Sequence, residues 1–399
     1  MDVLKFVKEK NDYLIRTRRY VHQHPELSWK EYKTTDFIEQ ELQKLGLETQ
    51  RFEGHTGVTA TIHGKKAHTG SKTIMLRADI DALPIIEDTG LEFSSVCPGV
   101  MHACGHDIHT SNLLTVAEIL NRTKDQWKGK VKLVFQPAEE NGGGGREMIK
   151  AGLMDEIPDA CFALHVEKGI PGKIVVGSRY LTAYSDSYKI TVHGKAAHSS
   201  TPEEGVDAVY IAASIVTALH GIISRNISPM DRATLNVGMI HGGTAPNIIA
   251  DEVTLGVMLR NLSKESREAM MKKIETISNG IAESMGGSCD LAFRAGYAAV
   301  YNDEKFSDFV AATFRKYEDI IHEDLGDGKP EDWLITGEHP LLGAEDFGFY
   351  SQKAPSCMIW VGVGGNSPKH SPGFCIDERY IKLCTRAMAM TALEYLTKE

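Results

Sequence analysis

The sequence contains no run approaching ~18 consecutive apolar residues, the length a bilayer-spanning helix needs, so no membrane span is expected. Its opening stretch, "MDVLKFVKEKNDYLIRTRRYVHQHPEL", is charged throughout and lacks the roughly 7–15-residue apolar core of a secretory signal. Seven cysteines lie scattered at Cys97, Cys104, Cys161, Cys289, Cys357, Cys375 and Cys384, with no Cys-x-x-Cys pair. An odd, dispersed set argues against a disulfide framework or a thiolate-rich zinc finger, and a reduced, cytoplasmic protein is the expectation. Positive charge is in deficit too: 44 Lys and Arg stand against 54 Asp and Glu, a net charge of −10. Nucleic acid and anionic membranes both ask for a basic face, so neither is expected as a partner. A small anionic substrate stays open, because one local arginine can hold a carboxylate inside an acidic protein.

What is present is ordinary in bulk: 42% hydrophobic and 25% charged residues, in a chain of 399 that can bury its own core. The first 45 residues read as helix, with "NDYLIRTRRYVHQHPEL" and "KTTDFIEQELQKLGL" both carrying apolar residues at helical spacing. Strand "TIMLRA", helix "SNLLTVAEILNRT", strand "KVKLVFQPAEE", helix "GGREMIKAGLM" and strand "ACFALHV" follow. Strand and helix alternate, and each strand turns polar at its C-terminal end. That is the α/β pattern in which ligand sites lie beyond the carboxyl ends of the strands. Near residue 185 the texture changes to strand–helix–strand–strand–helix, the order of a small open-faced α+β sandwich. After about 295 it resembles the first part again. We therefore expect a catalytic domain in two pieces, 1–184 and 295–399, interrupted by an inserted domain at 185–294.

The chemistry gathers at the strand ends. "LRADIDALP" carries Asp79 and Asp81, and "MHACGHDIHT" carries His102, Cys104, His106, Asp107 and His109. "VFQPAEENGGGG" carries adjacent Glu139 and Glu140, "CFALHVEKG" carries His165, and "PKHSPGF" carries His370. Taken singly, each has a structural explanation: a turn cap, a solvated loop, a lone histidine at a strand end. Jointly they place several ligand-type side chains at the same end of successive strands. Histidine, cysteine and carboxylate suit Zn²⁺, Mn²⁺, Co²⁺ or Ni²⁺. Five candidate ligands exceed the three of a mononuclear catalytic zinc and suit two ions about 3.5–4 Å apart. Of the paired glutamates, one carboxylate can bind metal while its neighbour serves as general base. Neighbours in an extended segment point apart, so one of them needs the following glycine-rich loop to turn it inward. A competing reading makes Cys104 a nucleophile with His106 as its base. A base two residues away rarely reaches back, and that reading leaves Glu139, Glu140, His165 and His370 without a role.

Nine motifs then occur in order: "RRYVHQHPELSWKE", "MLRADIDALPI", "MHACGHDIHTSNLL", "FQPAEENGGGG", "ALHV", "GKAAHSSTPEEGVDAV", "GGTAPNIIADEV", "GAEDFGFYSQKAPSCMIWVG" and "KHSPGF". In these the chain resembles the amidohydrolase branch of the metal-dependent aminoacylase and carboxypeptidase family, over nearly its whole length. That branch includes hippurate hydrolases, N-acyl-amino-acid hydrolases, N-acetyl-diaminopimelate deacetylases and plant indole-acetyl-amino-acid hydrolases. The resemblance implies a two-metal, exopeptidase-like α/β catalytic domain, its mixed sheet flanked by helices. It also implies an inserted α+β, ferredoxin-like lid through which such chains form dimers or tetramers. It implies Cys104, His106, Glu140, His165 and His370 as ligands of two divalent ions, with Cys104 bridging, and Glu139 as general acid/base. It makes Asp79 a supporting residue beside the ligands, since Arg77 stands where other branches have a metal-binding histidine, and Glu345 a further supporting residue. From the lid, His198 would polarise the scissile carbonyl, in its own or a partner's site, while Asn247 and Arg260 would hold the substrate carboxylate. The implied reaction is hydrolysis of an N-acyl amino acid. A dipeptidase or aminopeptidase, or an inactive ligand-binding relative, are the alternatives.

Overall fold

The computed structural model describes residues 6, 10–66, 71–325, 329–365 and 367–397. Part of the expected N-terminal helical stretch, residues 1–5 and 7–9, lies outside the described residues. The main helices are α1 (Asn11–Gln23), α2 (Tyr32–Lys44), α3 (His106–Arg122), α4 (Gly144–Lys150), α5 (Ala208–Asn226), α6 (Lys264–Ser284), α7 (Glu304–Lys316) and α8 (Ile381–Thr397). The sheet strands are β1 (Thr49–Gln50), β2 (Val58–His63), β3 (Thr73–Asp79), β4 (Lys130–Gln136), β5 (Ala160–Glu167), β6 (Ile174–Gly177), β7 (Tyr184–His193), β8 (Ala233–Gly242), β9 (Glu252–Asn261), β10 (Ser288–Tyr297), β11 (Leu334–Gly337) and β12 (Ser356–Gly362). Contacts divide the chain into unit 1 (Met1–Leu181, Tyr301–His339, Phe349–Glu399) and unit 2 (Thr182–Val300, Pro340–Gly348). The expected breaks after 184 and 294 are thus displaced, and Pro340–Gly348, expected in the catalytic part, groups with unit 2. The later break follows from β10, which completes the sheet of unit 2 beyond the end of α6.

Unit 1 is built on an eight-stranded mixed sheet in the order β1-β2-β4-β3-β5-β12-β6-β11. The β3, β4, β5 and β12 neighbours are parallel, whereas β2 runs antiparallel to β4 and β12 antiparallel to β6. "TIMLRAD" in β3 is buried at every position after its first, as a continuous apolar run in a strand covered on both faces should be. Parallel register then lines up the carboxyl ends: Asp79 lies opposite Gln136, and Arg77 opposite Ala163. The polar residues that follow β3, β4 and β5 therefore emerge at one end of the sheet. Helix α3 is buried along nearly its full length, polar residues included, and packs against α1 and α8. It starts from Gly105 at φ 94°, where a Cβ would lie 2.3 Å from Val166 Cγ2, so only glycine brings the helix this close to β5.

Unit 2 is a four-stranded antiparallel sheet, β8-β9-β7-β10, with α5 and α6 on one face. Alternate residues of β7 and β9 bury Ile190, Val192, Leu255 and Leu259 against Ile211, Ile215 and Ile274 of the helices. Asp207 caps α5 by accepting from the Val209 and Tyr210 amides, and Ser263 caps α6 at the Ser266 amide. Strand β10 was not expected from the sequence. It is a mostly exposed edge strand, so its polar residues carry little alternation. By length and composition α5 is apolar enough to cross a membrane, with mean hydropathy 1.4. Its Ile211, Ile215, Leu219 and Ile222 side instead forms the core of unit 2.

Candidate active site

All five expected ligands lie in unit 1, and the fold brings them together. Ligand atoms mutually within 4.8 Å form overlapping groups: Cys104–His106–His165, Cys104–Glu140–His370 and His106–Glu139–Glu140. Cys104 Sγ is 3.5 Å from His165 Nε2, and His370 Nε2 is 3.3 Å from Glu140 Oε1. The ring orientations are set from behind. His106 Nδ1 donates to the Asp81 carbonyl at 2.9 Å, and His165 Nδ1 donates to the Val166 carbonyl at 2.7 Å. In the neutral form of each ring the lone pair then lies on Nε2, the atom that would bind a metal. His106 Nε2 and Glu140 Oε1 are buried and have no hydrogen-bond partner among the described residues. Orphaned acceptors of this kind, with a thiol and a second imidazole beside them, fit a divalent ion of the zinc or manganese type. His370 adopts φ 61° and is tied to the cysteine loop by its amide, which donates to the Ala103 carbonyl at 2.8 Å.

Charge points the same way. Burial opposes protonation of His106, but the Asp79 and Asp81 carboxylates outweigh it and hold its pKa well above the ordinary value. The pocket thus favours a positive charge where the ligands meet. Burial and Lys369 hold His165 far below the ordinary value, so it is neutral. Asp79 also groups with His106 and His109, but its oxygens are engaged by neighbours. It accepts from Arg77 Nη1 at 2.6 Å and from His109 Nδ1 at 2.5 Å, and His106, His109 and the Arg77 guanidinium outweigh its burial and hold its pKa well below the carboxylate range. His109 Nε2 accepts from the Val166 amide at 3.0 Å, which fixes its tautomer and links β3 to β5 through α3. Asp107, next in sequence to His106, accepts from Arg18 at 2.7 Å and His22 at 2.8 Å, fastening α1 to α3. His102 is buried, neither ring nitrogen has a hydrogen-bond partner among the described residues, and burial pushes its pKa down to about 3.

His198, Asn247, Arg260 and Glu345 belong to unit 2. His198 and Asn247 are neighbours there: His198 pairs with Ile248, and the Ser199 amide donates to the Asn247 carbonyl at 3.1 Å. Both side chains are exposed. The Ser200 amide donates to His198 Nδ1 at 3.1 Å, leaving Nε2 as the protonated, outward donor of the neutral ring. Arg260 is half-buried on β9, its charge penalised by burial, and its Nη1 finds no acceptor among the described residues. Glu345 is buried, with Oε1 accepting from the Phe347 amide at 3.0 Å.

Residues 75–394 match the family model described as Peptidase family M20/M25/M40. The chain belongs to that family. The M20 chain is 36% identical to Thermostable carboxypeptidase 1 of Saccharolobus solfataricus, over 98% of each sequence. It is 36% identical to N-acetyl-L-cysteine deacetylase of Bacillus subtilis, over 92% of this chain and 84% of that one. Among solved structures it superposes with a TM-score of 0.83, at 30% identity and over 98% and 99% of the two chains, on a dinuclear metal-binding peptidase of the M20 family from Bacillus subtilis. It is a hydrolase of this metallopeptidase family.

Against the thiol-nucleophile reading, burial and then Glu140 push the Cys104 thiol of the M20 chain up to about 12. A nucleophilic cysteine needs the opposite shift, whereas a metal ligand loses its proton to the cation.

Two acidic residues carry more of the site than their sequence positions suggest. Asp81 accepts from the Glu139 amide at 3.1 Å and the Glu140 amide at 3.0 Å, so one carboxylate holds both glutamates. The only sequence signal was its two-residue spacing from Asp79. Glu31, in "HPELSWKE", had none: it is fully buried, over a hundred residues from the Ala138 amide that it accepts at 2.9 Å. Burial and the Asp81 charge raise Glu31 from 4.5 to about 7. A carboxyl whose folded pKa is raised stabilises the fold fully below its unfolded value, and that contribution is lost as pH climbs through the folded one. Wild type should therefore lose up to about 3 kcal/mol relative to Glu31→Gln between pH 4.5 and 8. Urea unfolding of both chains across that range checks it, and a gap that does not change with pH refutes it.

Proposed function

We propose that this M20 hydrolase cleaves the amide bond of N-acyl amino acids, releasing a carboxylic acid and a free amino acid. The observation that carries the reading is the convergence of the His106 and His165 imidazoles, the Cys104 thiol and Glu140 beside a second, adjacent glutamate. Cys104, His106, Glu140, His165 and His370 would hold two divalent ions, Cys104 being the residue common to two of the candidate groups. Those ions supply a water whose pKa is lowered towards ~7 and positive charge for the carbonyl oxygen. Glu139 takes the water's proton as its oxygen adds to the amide carbon, then returns it to the departing nitrogen. His198 Nε2–H is the donor for the developing oxyanion, a role worth ~10²–10³-fold. Unit 1 acts as the catalytic domain and unit 2 as the lid.

Arg260 and Asn247 select a leaving group that bears an α-carboxylate. Arg260 Nη1, which has no acceptor among the described residues, supports this, since a half-buried cation gains most from an incoming anion. Arg260→Ala should lower kcat/KM by about 10–100-fold, mainly through KM, as measured on N-acyl amino acids. An unchanged KM removes Arg260 from the site. Unit 2 also presents the pairing surface of a homodimer or homotetramer. Its edge strand β8 exposes Met239 and Ile240, and α5 exposes Val209 and Tyr210. The expected location is the cytoplasm.

The deciding experiment assays hippurate, N-acetyl-methionine and a dipeptide side by side on protein loaded with Mn²⁺ or Zn²⁺. Faster release from the two acylated substrates supports the proposal. Preference for the dipeptide makes the chain a peptidase, and no hydrolysis of any of them makes it an inactive binding relative.

A further inference from the structure

The turn that presents Glu139 and Glu140 is not self-supporting. Ala138 sits at φ 53°, a left-handed conformation unfavourable for a residue with a side chain, and Gly142 follows at φ 123°. Something must hold the chain in this shape, and the glycine run after it adds freedom rather than restraint. The restraint comes from a segment far away in sequence, residues 28–31, at three points. Glu31 Oε1 accepts from the Ala138 amide at 2.9 Å, while its Oε2 takes the Thr56 hydroxyl at 2.6 Å. The Trp29 indole lies against Gly142: a Cβ there would stand 2.3 Å from Trp29 Nε1. Ser28 Oγ donates at 2.6 Å to Asp81 Oδ2, the same carboxylate that accepts the Glu139 and Glu140 amides. The segment is itself anchored alongside the end of β3, where the Ala82 amide donates to the Glu26 carbonyl at 2.8 Å.

We infer that Glu31 is a positioning residue for the hydrolytic reaction. Its carboxyl group, clamped by Thr56, holds the strained turn at Ala138 so that Glu139 and Glu140 face the other ligands. The inference rests on the proposed function for what Glu139 and Glu140 do, but the restraint itself is geometric. What the turn needs is an acceptor at this distance from Ala138, more than a negative charge.

Two near-isosteric variants separate those needs. Glu31→Gln keeps the reach, and its amide can satisfy both Ala138 and a rotated Thr56 hydroxyl. Glu31→Asp keeps the charge but draws it back by one methylene. We expect Glu31→Asp and Glu31→Ala to lose kcat by roughly 100-fold, the cost of about 1 Å of misplacement, with KM within about twofold. Zinc retained per chain after dialysis should fall in both, and Glu31→Gln should recover most of the turnover and the zinc. Wild-type kcat and zinc content in Glu31→Asp overturn the inference, as does a Glu31→Gln chain impaired as badly as Glu31→Ala. Should Glu31→Ala fail to fold, the Gln and Asp pair still decides. A wild-type chain inactive on every amide tested defeats the proposed function alone, and zinc retention in the variants then settles the role of Glu31.

Discussion

Glu139→Gln is expected to keep its full metal content and to lose kcat by ~10²–10⁴-fold, the usual worth of a positioned acid–base group. The substitution preserves shape and leaves the backbone amide free to keep its bond to Asp81. Only proton affinity is removed. In the proposed reaction that carboxylate is used twice, once to accept the water's proton and once to deliver it to the leaving nitrogen. Its neighbour Glu140, the proposed ligand, is held through a separate oxygen of Asp81, so the metal set should not be disturbed. Elemental analysis alongside steady-state kinetics checks both halves. Wild-type turnover in the variant would falsify the assignment of the base, and metal loss would mean that Glu139 is itself a ligand.

The second large effect is expected at Cys104. Its sulfur belongs both to the group with His106 and His165 and to the group with Glu140 and His370. A shared ligand should cost more than a peripheral one, so Cys104→Ala should reduce bound metal well below two ions per chain, with activity falling in step. The affinity loss should exceed the ~10–100-fold that follows removal of a ligand's hydrogen-bonding partner. Cys104→Asp, which restores an anionic donor of similar reach, should recover part of the metal. A nucleophilic cysteine makes the opposite forecast, with full metal retention in Cys104→Ala and no benefit from aspartate. The buried thiol, its pKa raised to about 12, already speaks against that chemistry.

How much of this was legible beforehand depended on the kind of residue. Helix α3 and strands β3, β4 and β5 could be read because their apolar runs are long and end abruptly in polar residues. Strand β10 escaped, since an exposed edge strand has no need to alternate. The ligands stood out as unusual residue types at strand ends. Asp81 looked like a turn cap until its two carboxylate oxygens were seen to hold consecutive amides. His109 read as a supporting or structural histidine beside the ligands, and both its nitrogens are used, one on Asp79 and the other on the Val166 amide. Glu31 was invisible, because a glutamate in a charged segment reads as solvated.

By itself the sequence determined the alternation of strand and helix, the interruption by a second unit, and the chemical set from which a metal centre can be assembled. These follow from local periodicity and residue type, which act over a few positions. Which nitrogen of each histidine stays bare, which carboxylates bind neighbours instead of metal, and what keeps Ala138 in its left-handed turn were decided only by tertiary structure. Each of these depends on hydrogen bonds between segments that parallel strands bring to one end of the sheet, and no local pattern in the chain encodes such distances.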